Sequence, residues 1–146
     1  MIIGEICTRE VTFVRSGDAL SQAARQMCER HVGTVIVVED RGQQPVPIGI
    51  ITDRDIVRAQ LNRVADLACL GVAQVMTPDP LVLSESETMS EAIEKMRARA
   101  VRRAPVVNAT GGLVGVISMD DLLSAIPEQL SGLVRLVEVQ QRREAA

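Results

Sequence analysis

The chain has almost no aromatic residues: Phe13 is the only one among 146, with no tryptophan or tyrosine. Base stacking on aromatic platforms, a common way of holding single-stranded nucleic acid, is therefore nearly ruled out. The net charge is only −3, with both signs interspersed, which argues against general binding of nucleic acid or an anionic membrane. There is a single histidine, His31. A metal site needs more ligands at sensible spacing, and none is visible. No Ser-His-Asp set and no nucleophile with a nearby base emerges, so neither a metal, an enzymatic cofactor nor catalysis is expected. Cys7, Cys28 and Cys69 are odd in number, widely spaced and form no CxxC pair. They are expected to be reduced and mostly buried as small hydrophobes. No apolar run approaches the ~18 residues of a membrane span. The first residues, "MIIGEICTRE", lack the basic and long apolar stretches of a secretory signal, so cytoplasmic residence is expected.

Aliphatic residues are abundant. Apolar residues make up 47% of the chain, enough for a sizeable core in one compact domain or two mutually dependent halves. The chain also repeats itself. A shift of 69 residues places "EICTRE" (5–10) on "QVMTPD" (74–79), "DALSQAARQM" (18–27) on "ETMSEAIEKM" (87–96), and "HVGTVIVV" (31–38) on "AVRRAPVV" (100–107). Three extra residues in "EDRGQQPVPI" then reduce the shift to 66. Beyond them "GIITDRDIVR" (49–58) falls on "GVISMDDLLS" (115–124), with Thr52 over Ser118 and Asp55 over Asp121.

Each copy reads as an extended segment, an amphipathic helix, a β-branched buried strand, a Gly-containing turn, a second apolar strand and a short helix. The fold class is α/β, with β-α-β-β-α occurring twice. Met89, Ala92, Ile93 and Met96 recur at the spacing of one helical face, and Met27, Met89 and Met96 are expected in the core. Ser16 or Asp18 in the first copy, and Ser84 or Ser86 in the second, are candidate caps of the longer helices. Thr52 and Ser118 are candidate caps of the final helices. The expected division is copy one at 1–61, a connection at 62–73 with a plausible helical stretch, copy two at 74–126 and a helical tail at 127–146. A half of about 60 residues buries a poor core alone, so the two should pack face to face around a pseudo-two-fold axis.

The repeat, the "VRRAPVVN" strand and the paired "GIITDRDIV" and "GVISMDDLL" endings resemble CBS domains (cystathionine β-synthase domains). Two in tandem look like a stand-alone Bateman module, and the resemblance covers roughly residues 3 to 126. It implies binding of adenine-containing ligands: AMP, ADP, ATP, S-adenosylmethionine or a dinucleotide such as NAD. It also implies a sensor or regulatory role without turnover. A cleft between two sheets and two short helices can hold a flat purine between aliphatic side chains. One carboxylate, from Asp55 or Asp121, can accept from both ribose hydroxyls. Thr52, Ser118 and nearby free helix amides suit phosphate or ribose oxygens. Arg102, Arg103 and Arg54 supply cations with a planar bidentate fork. By this resemblance, Val116, Ser118 and Asp121 line one site with Arg102 and Arg103, closed by Thr8, Val32 and Gly33. Ile50, Thr52 and Asp55 line the other, closed by Thr77. The first copy has "GTVIVV" where the second has "RRAPVV", so its site lacks the basic pair and is expected to bind weakly, take an uncharged adenosine group or stay empty.

Each of these residues also has a plainer reading. Asp55 and Asp121 suit a helix dipole in any first turn, and Arg102 and Arg103 suit a solvated helix end. Arg97 and Arg99 read as surface. The competing function is a ligand-free interaction module acting on an unidentified protein partner through its helices. A homodimer is expected through Ile56, Val57, Leu122 and Leu123 on the final helices. In the tail Leu130, Leu133, Val134 and Val137 recur at helical spacing, and the cheaper assumption is that this helix covers its own module.

Overall fold

The computed structural model describes residues 1–62 and 66–145. The first copy runs through α1 (Ile3–Ile6), β1 (Phe13–Arg15), α2 (Leu20–Arg30), β2 (Thr34–Arg41), β3 (Gln44–Thr52) and α3 (Asp53–Asn62). The second runs through α4 (Val72–Val75), β4 (Thr77–Pro78), β5 (Leu83–Ser84), α5 (Met89–Arg99), β6 (Arg103–Val107), β7 (Leu113–Ser118) and α6 (Met119–Ala145). The β-α-β-β-α order is thus present twice, each copy preceded by one helical turn. Of the connecting segment, residues 63–65 lie outside the described residues, and the four-residue helix α4 begins at Val72, where the segment ends.

Two small sheets form, one per copy. In the first, β1 pairs parallel with β2, β2 antiparallel with β3, and β3 antiparallel with β4. In the second, β5 pairs parallel with β6 and β6 antiparallel with β7. The parallel pairs are those crossed over by α2 and α5, the connection length such a pair requires.

The halves exchange edges. Thr77 of the second copy pairs with Ile50 of the first, while Thr8 of the first pairs with Val116 of the second. Shifts of 69 and 66 carry Thr8 onto Thr77 and Ile50 onto Val116, so the two pairings are the same contact made twice. Ile2 pairs with Thr88 and Ala19 with Gly71, again mates under the shift of 69. Two related halves that each lend a segment to the other's sheet define a pseudo-two-fold axis. The exchange also explains why neither half needs a complete core of its own.

Each copy nevertheless has an aliphatic cluster. Val14, Leu20, Ala23, Met27, Val35, Val37 and Ile51 anchor the first; Ile3, Leu83, Ala92, Met96, Val106 and Ile117 anchor the second. Ile3, in the opening turn of the first copy, sits in the second cluster, and Val72, in the opening turn of the second copy, sits in the first. Met27 and Met96 are buried and Met89 packs against the second cluster, as their spacing predicts. Ile93, assigned to the same face, is 43% exposed and lies at its margin.

Several expectations are corrected. Neither Ser16 nor Asp18 caps α2: Ala19 holds that position without a side-chain bond, and the Asp18 carboxylate accepts instead from the Arg15 amide. Ser84 and Ser86 bond each other, and Thr88 caps α5. Thr88 accepts from the Glu91 amide while Glu91 accepts from the Thr88 amide, a reciprocal arrangement that satisfies two orphan donors at once. Cys28 and Cys69 are exposed and Cys7 is partly buried, so the cysteines are not core residues as a set. Burial raises the Cys7 thiol pKa above its ordinary value. Leu122 is 6% exposed in its own core and Ile56 packs against the first cluster, leaving Val57 and Leu123 as the exposed members of that group. The tail does not fold back. It continues α6 through Pro127 as one helix of 27 residues, exposed from Ile126 onward.

Candidate functional site

The final strands β3 and β7 end at Thr52 and Ser118, where both sheets turn into helices. The Thr52 hydroxyl accepts from the Asp55 amide at 3.2 Å, and Asp55 Oδ2 accepts from the Thr52 amide at 2.9 Å. The second copy repeats this. The Ser118 hydroxyl accepts from the Asp121 amide at 3.2 Å, and Asp121 Oδ2 accepts from the Ser118 amide at 2.8 Å and hydroxyl at 2.7 Å. Both hydroxyls are therefore caps, as predicted, and both aspartates complete the box with one oxygen. No bond to Oδ1 of either aspartate is found among the described residues. Each carboxylate thus has a structural duty and a second oxygen to spare.

The free amides expected at both helix starts are found at only one. In α3 the Asp53 amide donates to the Gly33 carbonyl, the Arg54 amide to Asp53 Oδ1 and the Asp55 amide to Thr52. In α6 the Met119 amide donates to the Arg102 carbonyl, the mate of the Gly33 bond. Methionine has no carboxylate to offer, however, and the Asp120 amide has no protein partner among the described residues. The change from Asp53 to Met119 leaves one donor open at the second helix start.

Two cavities lie between the halves. The larger, about 520 Å³, is bounded by Gly33, Ile50, Thr52, Asp53 and Arg54 from the first copy. From the second come Arg102, Arg103, Ser118 and Asp120. Its size is within the ~300–1,000 Å³ of small-molecule sites. Three arginines against two aspartates give it a net positive lining. The smaller, about 220 Å³, has an aliphatic wall of Val11, Val32, Ile36 and Val116, with Thr8, Glu10, Thr12 and Asp121 among its polar members. The two share Thr34, Arg103 and Ser118, so they meet along that wall. Arg103 Nη1 donates to the Thr34 hydroxyl there at 3.3 Å.

The structure brings Thr8, Val32, Val116, Ser118, Asp121 and Arg103 together around the smaller cavity. It moves Gly33 and Arg102 into the larger cavity, beside Ile50, Thr52 and Arg54. Asp55 and Thr77 line neither cavity. Sequence reasoning missed Thr34, Asp53, Met119 and Asp120 in the larger cavity. Thr34 had a signal: the shift of 69 places it on Arg103. Arg99, taken as surface, donates from Nη2 to the Asp79 carbonyl at 2.8 Å and so ties the end of α5 to the segment after β4.

Comparison with known proteins places this geometry. The model of the CBS domain matches residues 3–62 and 72–128. A 17.7 kDa protein of Acidianus ambivalens is 31% identical over 124 residues, covering 85% of this chain and 72% of that protein. A homoserine O-acetyltransferase of Methanococcoides burtonii is 28% identical over 120 residues, covering 82% of this chain but only 23% of the enzyme. Among solved structures, a CBS domain protein from Pyrobaculum aerophilum complexed with AMP superposes with a TM-score of 0.71 at 26% identity, covering 83% of this chain and 89% of that one. With two matched segments, two capped strand ends and one reciprocal exchange of edges, the chain belongs to the CBS domain family and carries the domain twice in tandem.

Proposed function

We infer that the chain is a regulatory module that binds an adenine nucleotide between its two CBS motifs and acts on it without turnover. The observation that carries this reading is the junction of the two cavities. An aliphatic slot with a carboxylate at its rim opens into a wider space lined by arginines. A purine fits the slot between Val32, Ile36 and Val116, which offer apolar faces and no aromatic stacking. The free Oδ1 of Asp121 accepts from the ribose. The phosphate then lies near Arg103, Ser118 and the open Asp120 amide, where a planar guanidinium and a helix start both favour an anion. The relative from Pyrobaculum aerophilum, solved with AMP, supports the ligand class. The filled amides of α3 favour the second copy over the first as the principal site.

Calorimetric titration of ligand-free protein with AMP, ADP, ATP, NAD and S-adenosylmethionine tests the reading, run in parallel on Asp121→Asn and Asp55→Asn. Asparagine retains an oxygen for the cap but loses the charge that strengthens a ribose bond. Binding weakened about tenfold in Asp121→Asn and unchanged in Asp55→Asn is expected. The opposite order moves the site to the first copy, and no heat with any of the five rejects the sensor reading.

A further inference from the structure

The outer part of α6 is exposed from Ile126 to Ala145. Leu123, Ile126, Leu130, Leu133 and Val137 follow one another at intervals of three, four, three and four residues. They are 55%, 42%, 56%, 60% and 53% exposed. Val134, 57% exposed, lies beside them on the same face. The 3,4,3,4 spacing lays these side chains in one apolar stripe along two heptads, the pattern of a and d positions in a coiled coil. Between Leu123 and Val137 no charged residue falls on this face; beyond it the same spacing reaches Gln140 and Glu144. Glu128, Arg135, Glu138 and Arg142 all project elsewhere around the helix.

We propose that this seam pairs with the same seam of a second copy, making the outer half of α6 a self-association element separate from the nucleotide cleft. Three observations select a second copy as the occupant. A heptad seam is self-complementary, since each knob meets a hole made by the same residues on an identical helix. The area suffices: covering six such side chains removes on the order of 600 Å² per copy, or ~1,200 Å² in all, the lower edge of specific interfaces. The charges permit it, because Glu128, Glu138 and Glu144 balance Arg135, Arg142 and Arg143 and leave the arm without net charge. Two copies therefore meet without repulsion. The first turn of the same helix carries Asp120 and Asp121, so the assembly element and the cleft share one continuous backbone.

Sedimentation equilibrium of the full chain across the micromolar range, with far-UV circular dichroism as a check on folding, provides the test. Leu130→Glu/Leu133→Glu places two charges in the seam at positions exposed in the single chain. It should weaken dimerisation at least about tenfold while helicity in the module is kept. Val139→Glu, on the opposite side of the helix, should leave the dimer unchanged. A monomeric wild-type chain overturns the proposal, because the seam then has no second copy on it. A dimer that survives the double substitution overturns it too and points to Val57 and Leu61 on α3. A dimer lost equally in Val139→Glu means that the arm is not pairing through this seam.

Discussion

Arg103 and Thr34 are the same position in the two copies, and they are hydrogen-bonded to each other across the pseudo-two-fold axis at 3.3 Å. A shift of 69 carries one onto the other, yet one is a cation and the other a hydroxyl. The repeat is therefore symmetric in backbone and asymmetric in charge at its centre, where the two cavities join.

This predicts that Arg103→Ala weakens binding of AMP by about ten- to a hundredfold, the size of a hydrogen bond to a charged group. Binding of adenosine should change little, because no phosphate is present to lose the contact. Arg103→Lys keeps the charge but not the fork and should recover only part of the loss. Parallel titrations with AMP and adenosine decide it. An equal loss for both ligands assigns Arg103 to shaping the cleft rather than to holding phosphate.

A second prediction concerns two glycines that are mates. A Cβ on Gly115 would stand 2.9 Å from the Thr8 carbonyl and 2.7 Å from Cys7 Sγ. A Cβ on Gly49 would stand 2.6 Å from Met76 Sδ and 3.1 Å from the Thr77 carbonyl. The Met76 sulfur lies in a flexible, unbranched side chain that can swing away, whereas the Thr8 carbonyl is backbone held in a bridge to Val116. Gly115→Ala should therefore cost about 1–3 kcal/mol of stability and Gly49→Ala less, with part of each cost offset by lost freedom in the unfolded chain. Because Thr8 lines the smaller cavity, Gly115→Ala should also weaken nucleotide binding. Urea unfolding of the two variants checks the order, and equal costs would show that the N-terminal segment yields as easily as a side chain.

How much of this was legible in the sequence depended on whether a residue's partner was near it in the chain or on the other copy. The repeat predicted the element order and the capping of Thr52 and Ser118, because each cap bonds a residue three positions away. The exchange of edges was not legible in the residues themselves, since nothing in "EICTRE" says that Thr8 pairs with Val116 rather than with its own half; only the family resemblance placed Thr8 beside the second copy's strand. For the same reason Arg102 was assigned to the second copy's site, although it lines the larger cavity between the halves. The cap of α5 was misread because Ser84, like Thr88, is followed three residues later by a glutamate, and Glu87 does accept from the Ser84 amide, so the pattern alone does not say which hydroxyl starts the helix. The boundary placed at 127 is not a boundary in the structure: α6 runs through Pro127 to Ala145, although a proline removes one backbone bond and crowds the preceding turn.

The Thr88–Glu91 cap leads to the last prediction, which is about pH. Bonds from the Thr88 amide and then from its hydroxyl hold the Glu91 carboxyl below the ordinary glutamate value. A group whose folded value is depressed adds stability that is fully present above its unfolded value, about 4.3, and is lost as pH falls through the folded one. Glu91→Gln keeps a side chain able to complete the cap but has no proton to gain. At neutral pH the wild type should therefore be the more stable of the two, and the difference should shrink to nothing only below about pH 4. Thr88→Ala removes the acceptor for the Glu91 amide as well and should cost about 1 kcal/mol at neutral pH. Urea unfolding midpoints taken from neutral to acid pH measure all three proteins on one scale. A gap between wild type and Glu91→Gln that persists unchanged into acid would mean that the charge of Glu91 contributes nothing, and that the cap works through hydrogen-bond geometry alone.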